Sequence, residues 1–172
     1  MKYKLFNEYN EDTSIITSIL TNRGIQEKDI HHYLNTTDDD IASPLCFGKD
    51  VLYKGVKTLF KSIYENTPCA MIVDADCDGM TSAALLSNYL YDLFPSWTYN
   101  NLTHLFHEGK KHGLSDMMDV LLNSDYDVII CPDSSSNDYI EHEKLAAQGK
   151  YILVLDHHEA PKVSEYAVTI NN

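Results

Sequence analysis

From residue 69 onward the chain alternates short, wholly apolar runs with amphipathic stretches. The runs are Cys69-Ala70-Met71-Ile72-Val73, Asp127-Val128-Ile129-Ile130-Cys131, Tyr151-Ile152-Leu153-Val154-Leu155 and Ala167-Val168-Thr169-Ile170. Between them, helical spacing of apolar positions predicts helices over about 81–94, 114–123 and 137–148, the last closed by Gly149. Trp97 to Phe106 predicts a further strand, and Val51 to Asn66 an amphipathic helix. A strand that is apolar at every position, not at every second one, is covered on both faces. The pattern therefore predicts an α/β fold: a mostly parallel β-sheet with helices on both faces. Residues 1–50 read differently. Thr13 to Thr21 and Gln26 to Leu34 have helical spacing, Asn22-Arg23-Gly24 supplies a turn between them, and Pro44 marks a loop. The organisation expected is a helical N-terminal segment, residues 1–50, packed on a core domain of residues 51–172.

Composition narrows the class. At 172 residues, 44% hydrophobic and 23% charged, the chain can bury a core of ordinary size. No apolar run approaches the ~18 residues of a membrane helix, and the N-terminus lacks a signal peptide's apolar stretch. Four cysteines without CxxC spacing, three of them in or beside predicted strands, read as reduced thiols of a cytoplasmic protein with no membrane partner. Acidic residues outnumber basic ones by 26 to 13, a net charge of −13. That balance suits a small anionic substrate better than a long nucleic-acid strand, unless bound cations offset it.

The chemistry lies at the strand ends. Behind the first apolar run stands Asp74-Ala75-Asp76-Cys77-Asp78-Gly79; behind the others stand Asp133 and Asp156-His157-His158. Close carboxylates repel by roughly 1 kcal/mol per pair even in water, and more at lower dielectric, which a cation would offset. An isolated acidic turn is ordinarily a helix N-terminus favoured by the macrodipole. The carboxyl ends of parallel strands, however, line the ligand crevice of an open α/β sheet. Three such turns in order can therefore converge and hold two divalent ions about 3.5–4 Å apart, as in phosphoryl-transfer sites. Oxygen and imidazole donors suit Mg²⁺, Mn²⁺ or Ca²⁺, with Asp133 a sensible bridge between two ions. One histidine of the pair can ligate metal while the other faces a substrate phosphate. Asp38-Asp39-Asp40 reads as a solvated loop, His31-His32 as a surface pair, and Ser134-Ser135-Ser136 as turn and helix cap, not a nucleophile.

These motifs resemble the DHH phosphoesterase superfamily. Asp74 to Gly79 with Thr81-Ser82-Ala83 is similar to its first motif, Asp133 to the intervening aspartate motif, and Asp156-His157-His158 to the triplet that names it. Arg23-Gly24-Ile25, His107-Glu108-Gly109, His112-Gly113-Leu114 and Ala167 to Asn171 resemble features of the RecJ-like single-strand exonucleases in the same order. The resemblance implies a DNA repair or recombination nuclease that hydrolyses single-stranded DNA 5′ to 3′ with two Mn²⁺ or Mg²⁺ ions. It implies metal ligation by Asp76, Asp78, Asp133 and His157, with Asp133, His157 and His158 catalytic. Asp74 and Asp156 are implied as supporting residues, and His158, Lys110 and Lys111 as contacts to substrate phosphate. Other branches of the superfamily imply an alternative, a phosphodiesterase for short oligonucleotides or cyclic dinucleotides.

The chain departs from the RecJ pattern in three places. Serines 134 to 136 stand where a glycine is usual after the intervening aspartate. Lys110 and Lys111 stand near the place of an arginine and a GYG sequence, as point charges without the guanidinium fork. The family's fourth aspartate motif and its C-terminal DHHA1-type domain would follow residue 172. A truncated chain, or a catalytically incomplete binding domain, is therefore also expected from the resemblance.

Overall fold

The computed structural model describes residues 13–109 and 111–171. The chain divides between Ser43 and Pro44 into two compact units. In the first, helix α1 (Ile15–Asn22) starts where the Ser14 hydroxyl accepts the Thr17 N–H at 3.1 Å. Gly24 follows it, and α2 (Ile30–Leu34) completes the unit together with a short 3₁₀ turn at Asp38–Asp40. That acidic run is exposed, and Asp40 folds back onto the Thr37 N–H at 2.7 Å.

The second unit carries helix α3 (Lys49–Glu65), then β1 (Cys69–Val73), α4 (Cys77–Leu93), α5 (Pro95–Asn101) and β2 (Leu102–Phe106). There follow α6 (Met118–Leu122), β3 (Val128–Pro132), α7 (Tyr139–Ala147), β4 (Tyr151–Asp156) and β5 (Val168–Asn171). All five strands are parallel, in the order β2-β1-β3-β4-β5. Successive residues of β1 enter two different cores. Ala70 and Ile72 pack with Leu114, Met117, Leu121 and Leu145 around α6 and α7; Cys69, Met71 and Val73 pack with Ala83, Leu90 and Trp97 around α4 and α5. Continuous apolarity in the strands is thus the signature of two buried faces, as the pattern predicted. Among the described residues no helix is long and apolar enough to cross a membrane.

Several element boundaries differ from the sequence expectation. Trp97 to Asn101 is helix, not strand: Pro95 occupies the first helical position, where its fixed φ and missing N–H cost nothing. Trp97 is then buried and donates its indole N–H to the Ser62 carbonyl of α3 at 3.1 Å. Helix α4 starts at Cys77, four residues before the expected Thr81, because Asp76 caps it by accepting the Gly79 N–H at 3.1 Å. The stretch expected as helix from Leu114 to Asn123 is helical only over Met118–Leu122. The N–H of Leu114 is instead held by the Asp138 carboxylate at 2.8 Å.

Candidate metal centre

Strand order decides where the site lies. The chain runs from β1 outward to β2, then crosses back to β3 on the other side of β1. The carboxyl ends of β1 and β3 therefore flank the point where the winding reverses, which is where an open parallel sheet leaves a crevice. Asp74 follows β1 and Asp133 follows β3, so the two stand side by side across that crevice, and β4 delivers Asp156, His157 and His158 next to them.

The turn after β3 is tightly built. Asp133 has φ 65° and Ser135 φ 79°, the left-handed region that costs a non-glycine residue on the order of 1 kcal/mol. The Asp133 N–H donates to the Leu155 carbonyl at 2.7 Å, continuing the β3–β4 ladder into the turn. Ser134, Ser135 and Ser136 are all buried beneath the site. The sequence reading of these serines as turn and cap holds only for the turn, since α7 is entered through Asp138. The Ser136 N–H instead donates to the Asp156 carboxylate at 3.0 Å, and the Ser136 hydroxyl takes a 2.7 Å bond from the Asn171 amide.

Two triads of donor atoms result, each within 4.8 Å: Asp74, Asp76 and Asp133, and Asp133, His157 and His158. Asp133 belongs to both. It is 5% exposed, and its Oδ1 lies 3.0 Å from His157 Nε2 while Oδ2 is buried with no hydrogen-bond partner among the described residues. A buried carboxylate oxygen left unpaired is costly unless a cation completes it. Burial, then the neighbouring Asp78, push the Asp133 carboxyl above the usual range, partly offset by His157. Asp76 goes the other way: the Gly79 N–H, then a hydrogen bond with Asp78, lower it. The donor set fits a divalent cation, with hard carboxylates on one side and imidazoles on the other.

Asp156 works beneath this layer. Its carboxylate accepts the N–H groups of His157 at 2.8 Å, His158 at 3.1 Å and Ser136 at 3.0 Å, and bonds the His158 ring at Nδ1, 2.7 Å away. Burial pushes this carboxyl up, but the bonds from His158 and Ser136 outweigh it and hold it at about 2. In return the Asp156 hydrogen bond raises His158 above the usual histidine range. The Nδ1 bond leaves Nε2 of His158 as the nitrogen open to a ligand.

The other sequence candidates are less central. Asp78 lies in the first turn of α4, 3.8 Å from His157 and outside both triads. Lys111 is 3.5 Å from Asp116, and Lys110 lies outside the described residues. Gly79 is required by packing: a Cβ there would stand 2.6 Å from the Asp74 Cβ and 2.9 Å from its carbonyl oxygen. Sequence reasoning assigned no role to His112, whose Nδ1 hydrogen-bonds Asp74 Oδ2 and whose ring lies 4.9 Å from that of His158. Its signal was only a histidine before a glycine in a loop. The four cysteines are free and form no part of the cluster. Cys131 is buried with its thiol pushed up to about 12, and serves packing.

A five-stranded parallel sheet with carboxylates and imidazoles gathered at its carboxyl edge defines the class. The chain belongs to the DHH family, matching its N-terminal domain over residues 69–172. A protein of Bacillus subtilis (strain 168), provisionally named the SPbeta prophage-derived single-strand DNA-specific exonuclease YorK, is 33% identical over 175 residues. Its counterpart in Bacillus phage SPbeta is equally similar. The alignment takes in all of this chain but 28% of either relative, so the chain spans little more than a quarter of their length. Among solved structures, RecJ from Thermus thermophilus in complex with Mn²⁺ is similar over 70% of this chain and 17% of that one (TM-score 0.55, 16% identity). The DHH domain of a member of the s1p family of ribosomal proteins is similar over 89% of this chain and 41% of that one (TM-score 0.60, 17% identity). At such identities the likeness shows the shared fold.

Proposed function

We propose that this chain is the catalytic DHH part of a RecJ-type exonuclease, a phosphodiesterase that hydrolyses single-stranded DNA from the 5′ end with two divalent ions, Mn²⁺ or Mg²⁺. The observation that carries the reading is one buried carboxylate, Asp133, common to two triads of metal-type donors. One ion would be held by Asp74, Asp76 and Asp133, the second by Asp133, His157 and His158, with Asp78 an outer ligand beside His157. Divalent ions so held supply Lewis-acid polarisation of a phosphodiester and a lowered pKa for water. The chain's own groups do the rest. Asp156 fixes the His158 ring through Nδ1, which leaves Nε2 as the nitrogen that would serve the second ion. Lys111, and Lys110 next to it in the sequence, would supply positive charge for substrate phosphate.

A second reading, cleavage of short oligonucleotides, is favoured by the net charge of −13, since a long strand has more phosphates to bring against that charge. Both readings are tested by Mn²⁺-dependent cleavage of 5′- and 3′-labelled single strands, from about 4 to about 40 nucleotides so as to bracket one binding site. The expected result is stepwise loss from the 5′ end, abolished by Asp133→Ala. Cleavage confined to the shortest strands, with little salt dependence, would favour the second reading. Unchanged cleavage by the variant would sink the site itself.

A further inference from the structure

We propose that His112, on the loop between β2 and α6, is a positioning residue for the metal centre, holding the Asp74 carboxylate in its ligating orientation. The inference rests on the metal-centre reading above and deepens it.

Asp74 is buried, and each of its oxygens already has one partner: Oδ1 takes the Ala75 N–H at 2.8 Å and Oδ2 is bonded by His112 Nδ1. A carboxylate can only accept, so His112 Nδ1 carries the proton. Each carboxylate oxygen keeps a further lone pair for a cation, and the two bonds together fix the plane of the group. The same imidazole stands edge-on to His158, ring centres 4.9 Å apart at 71°. His112 thus touches one member of each triad.

The loop that carries His112 is pinned at both ends, which a chance contact would not require. The His107 N–H reaches the Val73 carbonyl at 3.4 Å, extending the β1–β2 ladder by one residue, and its ring lies 3.3 Å from Asp116. Next to His112, Gly113 takes φ 76°, and a Cβ there would meet the Asp138 Oδ2 at 2.5 Å. That same Asp138 oxygen accepts the N–H of the buried Leu114 at 2.8 Å. Asp138 belongs to the turn after β3, so the loop is tied to the segment that presents Asp133. An imidazole bonded to a ligating carboxylate orients it, and loss of such a partner typically costs 10–100-fold in metal affinity.

The test is Mn²⁺ affinity of the whole chain, read from the electron paramagnetic resonance signal of free Mn²⁺, which disappears on binding. His112→Ala is expected to weaken binding roughly 10–100-fold. His112→Asn, whose amide nitrogen can take the place of Nδ1, is expected to recover most of that loss. The pair His112→Ala with Asp74→Asn is expected to bind no worse than Asp74→Asn alone, because residues acting through one contact are not additive. Equal affinity of wild type and His112→Ala overturns the proposal, as do losses that multiply in the double variant or an Asn variant no better than Ala. If the wild type itself binds no Mn²⁺, the metal-centre reading falls and this inference falls with it.

Discussion

Replacing Asp133 by Asn should move stability in opposite directions with and without metal. In the metal-free protein the Asp133 carboxyl lies above its usual range, chiefly through burial and then the nearby Asp78. A group whose folded pKa exceeds its unfolded value weakens the fold once the pH is high enough to ionise it, so at about pH 7.5 this charge destabilises. Part of the cost can be worked from geometry. Asp133 and Asp74 are both buried, with oxygens within 4.8 Å. Two unit charges at that distance repel by about 0.9 kcal/mol at the dielectric of water and about 3.5 kcal/mol at an effective value near 20. The hydrogen bond from His112 to Asp74 and the contact of His157 with Asp133 offset much of this. A net gain of about 1 kcal/mol is expected for Asp133→Asn, some 2–4 °C in Tm for a chain of this size. With Mn²⁺ at a hundred times its Kd, the wild type gains about 2.7 kcal/mol by mass action, roughly 5–11 °C, and the variant gains nothing. Differential scanning calorimetry in EDTA and then in Mn²⁺ reads both shifts. A variant less stable in EDTA yet still stabilised by Mn²⁺ would refute the reasoning, since Asp133 would then be a structural acid only.

Gly79→Ala is expected to destabilise by about 1–3 kcal/mol, lowering the urea midpoint. The added Cβ would sit 2.6 Å from the Asp74 Cβ, and that contact overrides the gain of up to about 1 kcal/mol that alanine brings to a helix. A midpoint at or above that of the wild type would show that the start of α4 yields without disturbing Asp74. Asp156, held at about 2 once its hydrogen bonds outweigh burial, gives a pH dependence of definite sign. A depressed folded pKa means stability fully present above about pH 4 and lost as pH falls towards 2, worth about 2 kcal/mol. Acid titration of the metal-free Asp156→Asn variant should therefore show a flatter stability curve between those values than the wild type, and parallel curves would contradict the assignment.

Much of this molecule was legible in one dimension. Runs such as Cys69 to Val73, apolar at every position, read as strands covered on both faces, and their spacing left room for helices between all but the last pair. Asp74 to Asp78, Asp133 and Asp156-His157-His158 announced themselves by standing directly behind those runs, where a parallel sheet presents its carboxyl edge. What escaped the sequence were properties of neighbours far apart along the chain. Trp97 has no helical signal beyond Pro95, and its place is set by the Ser62 carbonyl on another helix. The hydrogen bonds that hold Ser136 depend on Asp156 and Asn171 arriving from two later strands.

The sequence by itself determined the class of fold and the chemical type of its edge, because periodicity and side-chain chemistry are local. Only the tertiary structure decided the order β2-β1-β3-β4-β5, which sets β1 beside β3 and so makes Asp133 a carboxylate shared by two groups of metal-type donors. The same order decided that the loop leaving β2 reaches across β1 to bring His112 onto Asp74. Strand order follows from how crossovers pack their helices on either face, a global balance that no single stretch of residues records.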